Sequence, residues 1–100
     1  MTYMTCWLEI RRRDSKEKRF MHKLPVPPSG RLGPYDLRYW AEDEGLEIEY
    51  IDNCYVKVPV GSDKLLAFLS DHFSTDNPYK ASALPALAPD WEFVLAAEEF

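Results

Sequence analysis

An antiparallel α+β domain is the fold this sequence predicts: one domain over residues 1-100, two hairpins and a C-terminal strand forming a sheet with two helices on one face, in the order β-β-α-β-β-α-β. Three observations lead there. Two stretches, Thr2 to Val26 and Leu46 to Val60, alternate apolar and polar residues around short polar breaks, the signature of hairpins. Each is followed by an apolar stripe at helical spacing. The apolar fraction of 46% is spread along all 100 residues, enough for one core but not for two, and too much for a disordered chain.

In the first segment, Thr2 to Arg13, Cys6, Leu8 and Ile10 alternate with Thr5, Trp7 and Glu9. Asp14 to Lys18 reads as a turn, and Phe20, His22, Leu24 and Val26 as the returning strand. Pro25, Pro27 and Pro28 end it because proline donates nothing to a ladder. Pro34 suits a first helical position, and Asp36 places a negative charge at the positive helix end. Leu37, Trp40 and Ala41 recur at helical spacing over about Pro34 to Glu44. Gly45 reads as the left-handed closing residue, with Leu46 folding back on Ala41.

The second hairpin has more than one register. A two-residue turn at Asp52-Asn53 would mix apolar and charged residues on each face. A three-residue loop, Ile51 to Asn53, sorts them: Tyr50 against Cys54, Ile48 against Val56 and Leu46 against Val58 on one side, Glu49 against Tyr55 and Glu47 against Lys57 on the other. The second register is the expected one. Ser62 and Asp63 then begin a helix with Leu65, Leu66, Phe68, Leu69 and Phe73 as its apolar face. Pro78, Pro85 and Pro89 make Ser74 to Asp90 an extended crossing. Trp91, Phe93 and Leu95 alternate as a strand does, although Asp90 before Ala96, Ala97, Glu98 and Glu99 also suits a short helix; the strand is preferred.

The net charge of −5 conceals a split. Residues 1 to 33 hold eight cations against three acids, a net +5, and residues 34 to 100 hold four cations against fourteen acids, a net −10. No apolar run approaches the roughly 20 residues that span a bilayer, and the N-terminal residues lack the order of a signal peptide; a cytoplasmic location without membrane association is expected. Cys6 and Cys54 are the two cysteines, too few for a disulfide framework, and both are expected as reduced, packed thiols.

Chemistry is scarce. Cys6, His22, Cys54 and His72 lie at no spacing that reads as a metal site. The four glycines, Gly30, Gly33, Gly45 and Gly61, meet no phosphate-loop spacing, so neither cofactor nor metal is expected, and the expected class is non-enzymatic. The sharpest enzymatic alternative pairs Cys54 with His72, oriented by Asp71 or Asp76, as a thiol enzyme or sensor. Against it, the preferred register turns Cys54 to the apolar face, where burial suppresses a thiol.

Two charged constellations remain. Glu42, Asp43 and Glu44 at the end of the first helix, continued by Glu47 and Glu49 with Tyr39 and Tyr55 beside them, form an acidic, aromatic surface suited to a basic protein partner. An ordinary solvated helix end, partly neutralised by Arg38 and Lys57, is the competing reading. Arg11, Arg12, Arg13, Lys16, Lys18 and Arg19 surround the first hairpin tip and are the alternative, an anion or nucleic-acid site, weakened by the interleaved Asp14 and Glu17. Size and acidity are those of many small protein inhibitors, immunity and phage anti-defence proteins among them, without a shared motif. The leading expectation is a protein-interaction module, with homo-oligomerisation open through sheet edges or an uncovered face carrying Trp7 and Tyr55.

Overall fold

In the computed structural model the described residues are 4–15, 18–23, 33–72 and 87–99, with the backbone alone for 18–23 and 72. The elements are β1 (Met4–Arg12), β2 (Lys18–Lys23), α1 (Pro34–Asp43), β3 (Glu49–Asp52), β4 (Tyr55–Val60), α2 (Ser62–His72) and β5 (Trp91–Glu99). The order along the chain is the one the sequence predicts. All five strands join one antiparallel sheet in the order β2-β1-β5-β4-β3, so the last strand is its centre. Among the described residues no helix is long and apolar enough to cross a membrane. The prolines of the crossing before Ala86, and Phe73, lie outside the described residues.

Both helices cover one face. Cys6, Leu8 and Ile10 of β1, Phe93, Leu95 and Ala97 of β5, and Val56, Val58 and Val60 of β4 meet Leu37 and Ala41 of α1 and Leu65, Phe68 and Leu69 of α2 in one core. Trp40 stands edge-on to Phe68, ring centres 4.8 Å apart, and locks the two helices together. β5 resolves the ambiguity between strand and helix: Phe93, Val94, Leu95, Ala96 and Ala97 are all buried, which is what a central strand covered on both faces requires.

The ends of α1 follow from its sequence. The Gly33 N–H donates to Asp36 Oδ2 at 2.9 Å, so Asp36 both satisfies an orphan donor and faces the positive helix end. A side chain at Gly33 would collide with Met4, whose Sδ lies 2.5 Å from the place a Cβ would take. At the other end Gly45 takes φ 70°, the Leu46 N–H donates to Ala41 O at 2.9 Å and the Gly45 N–H to Glu42 O at 3.2 Å. This is the Schellman closure expected from Gly45 and Leu46.

The second hairpin departs from its expected register. Glu49 pairs with Lys57, Tyr50 with Val56 and Asp52 with Tyr55, with a bulge at Ile51. The turn is therefore Asn53-Cys54, stabilised by the Cys54 N–H donating to Asp52 Oδ1 at 2.7 Å. The slide is by two residues for Tyr50 and Glu49, so both keep the faces they were given. A strand slid by an even number preserves its side-chain pattern, which is why patterning did not choose between the registers. Cys54 moves to the exposed turn, which corrects the expectation that it packs against the core.

The face away from the helices is also buried at its centre. Trp7, Glu9, Arg11, Lys57, Val94 and Ala96 are all buried and Tyr55 is half-buried, so Trp7 does not lie on an uncovered face. Lys57 Nζ donates to both oxygens of Glu9 at 3.0 and 3.1 Å, and Trp7 Nε1 donates to Glu9 Oε1 at 2.8 Å. Ala96 of β5 stands in register between Lys57 and Trp7, and its short side chain lets the lysine cross the strand. Arg11 pairs with Glu49 through both terminal nitrogens, and Glu92 lies 3.7 Å away. The hydrogen bond that Arg11 donates to Glu49 raises the Arg11 pKa further, outweighing desolvation.

Candidate functional site: the exposed face of α1 and β3

The residues expected to form one acidic surface fall into two groups. Glu49 and Tyr55 stand on the sheet face opposite the helices, Glu49 bound to Arg11 and Tyr55 edge-on to Trp7 with ring centres 5.5 Å apart. The cause is the alternation of strand side chains: odd-numbered residues of β3 and β4 turn away from α1. Lys57, expected to neutralise the acidic surface, is held by Glu9 on that opposite face. Tyr39, Glu42, Asp43, Glu44 and Glu47 remain together and exposed on α1 and the turn after it. Arg38 Nε lies 3.9 Å from Glu42, and Lys64 pairs with Glu44.

Beside these acids and Tyr39 the structure places two aromatic side chains that the sequence reading left out of the surface, Tyr35 and Tyr50. Tyr35 is 53% exposed, Tyr39 58%, Tyr50 60% and Ile51 53%. Arg38 lies over the rings of both Tyr35, three residues before it, and Tyr39, its neighbour in sequence, at 5.1 and 5.2 Å from their centres. The helix thus turns Leu37 and Ala41 inward and a Tyr-Arg-Tyr cluster outward. Between α1 and the tip of the β3–β4 hairpin lies a cleft of about 300 Å³, whose lining includes Tyr35, Arg38, Tyr50, Asp52 and Asn53. Its two walls come from segments separated by the whole turn 44–48. One signal for it was present in the sequence: Tyr35, Arg38 and Tyr39 share one helix stripe that the core does not need.

Of the basic constellation, the side chains of Arg11, Arg12 and Arg13 lie among the described residues. Arg11 is buried against Glu49 and Glu92. Arg12 lies 3.3 Å from Asp90, 3.7 Å from Asp14 and 5.9 Å from the centre of the Trp91 ring. Arg13 is exposed in the turn, and the side chains of Lys16, Lys18 and Arg19 lie outside the described residues, as does that of His72 beside which Cys54 was considered. No protein-family model, curated protein or solved structure matches the chain.

Proposed function

We propose that the chain is a small non-enzymatic protein-interaction module that docks the α1–β3 face on a basic partner protein, as an inhibitor of that partner would. The observation that supports the reading is the cluster of Tyr35, Arg38, Tyr39 and Tyr50, exposed around a cleft and flanked by Glu42, Asp43 and Glu47. Tyrosine and arginine are among the side chains that most often carry binding energy, tyrosine because it buries a large area at small entropic cost and arginine because its planar guanidinium stacks and hydrogen-bonds at once. The surrounding carboxylates speed encounter with a positive surface. A protein recovered by the tagged chain from nuclease-treated lysate of its source supplies the partner for the test. Changing Glu42, Asp43 and Glu47 together to lysine is expected to slow association by about tenfold at low salt and to flatten its salt dependence. Unchanged kinetics in that variant and in Tyr39→Ala would remove this face from the function.

A further inference from the structure

We infer that the occupant of this face is an extended basic segment of the partner, which adds as a sixth strand along β3 and directs an arginine or lysine side chain into the cleft. This rests on the docking reading above and specifies its geometry. Among the described residues β3 is an outer strand, paired to β4 alone, and Tyr50, Ile51 and Asp52 are exposed.

The hydrogen-bond parity of the sheet identifies the groups that are open. The Glu99 N–H donates to Cys54 O at 2.8 Å, which makes Val56, two residues on, a residue bonded to β5. Tyr55 and Lys57 then direct their N–H and C=O toward β3, because these groups alternate along an antiparallel strand. Their partners are Asp52 and Glu49. The N–H and C=O of Tyr50, between them, face the open edge, the arrangement that an added strand requires.

Charge selects the added strand. The Tyr50 side chain projects to the helix face, where it lines the cleft with Tyr35, Asp52 and Arg38. Asp52, whose Oδ1 accepts the Cys54 N–H, belongs to the lining together with the two tyrosines, Tyr35 and Tyr50, a setting for a cationic side chain. Arg38 is the one cation lining the cleft among the described residues, and Glu42 stands beside it. A second copy of the chain would bring Glu42, Asp43, Glu47 and Asp52 against their own duplicates, so a basic segment fits and a self-paired edge does not.

The probe is a capped octapeptide of alternating arginine and valine, added to the 15N-labelled full chain and followed by NMR. Shifts are expected at the amides of Tyr50 and Asp52 and at Arg38, with slowed solvent exchange of the Tyr50 amide. Asp52→Asn, which retains the turn-forming oxygen, and Tyr50→Ala should each weaken the peptide by about tenfold. N-methylation of alternate peptide amides, which removes the donors of one edge, should weaken it at least as much. Equal binding of the methylated peptide would overturn strand addition and leave side-chain docking on the same face. No perturbation at millimolar peptide, shifts confined to the Glu9–Lys57 face, or protection of Tyr50 that grows with protein concentration alone would each overturn the proposal, the last in favour of a second copy. The docking reading itself falls separately, on the kinetics of the lysine variants.

Discussion

The two thiols show how one residue type acquires opposite properties from its position. Cys6 lies in the core between strand and helices, and burial pushes its thiol up to about 12 from 9.0, the loss of solvation outweighing a backbone hydrogen bond at Trp7. Cys54 stands exposed in the turn. A thiol-specific reagent is therefore expected to find one fast-reacting cysteine in the native protein and two in urea; two fast thiols without denaturant would contradict the burial of Cys6. The shift also has a sign in stability. Cys6 stays protonated in the fold while the unfolded chain releases its proton above about 9, so this contribution is complete below that pH and is lost as pH rises toward 12. The urea midpoint of the native protein should fall more steeply between pH 9 and 11 than that of Cys6→Val. Parallel decline would assign alkaline destabilisation to other groups.

Elements were legible to the extent that their signals are local. The N-terminal charge of Asp36 and the closure by Gly45 and Leu46 concern groups within a few residues of one another, and the structure places them as the sequence implies. Pro59 shows the opposite case, a strand residue whose tolerance depends on a neighbour. It lies inside β4, yet its nitrogen points toward β3, and the residue that would face it, Glu47, lies before β3 begins at Glu49. No ladder bond is forfeited. Pro59→Val is accordingly expected to change stability by less than about 1 kcal/mol, whereas Val58→Pro, which removes a donor facing β5, should cost about 3 kcal/mol or more. Urea unfolding curves distinguish the two, and equal losses would disprove the parity on which the open edge of β3 also depends.

Over the whole molecule, two ion pairs tie strands that are not neighbours. Glu9 of β1 meets Lys57 of β4 across β5, and Arg11 of β1 meets Glu49 of β3 across β5 and β4. At about 4.8 Å between adjacent strands, β1 and β3 are some 14 Å apart in a flat sheet, so the second pair depends on two long side chains reaching over the strands between them. Glu9 is fully buried, and its charge is compensated by Lys57 and the Trp7 N–H. Replacing Lys57 by Met leaves that carboxylate without its cation and is expected to cost about 3–5 kcal/mol. Adding Glu9→Leu should restore most of the loss, because two apolar residues of similar size remove the unpaired charge as well as the pair. A double variant as unstable as Lys57→Met alone would show that packing, not charge, sets the penalty.

The sequence by itself determined the order of elements, the α1 ends and the faces of Glu49, Tyr50 and Tyr55 to Val58 in the second hairpin, since these depend on periods and capping groups within a turn or two. Tertiary structure alone decided which charges meet. Glu49, placed from the sequence beside Glu47 on an acidic surface, is bound to Arg11, 38 residues away; Lys57 is bound to Glu9, 48 residues away. A period-two pattern is unchanged by an even slide of register and carries no information on strand order. The reach of a charged side chain depends on both, and so does the cleft, whose walls come from a helix and a hairpin that meet only when the sheet has closed around β5.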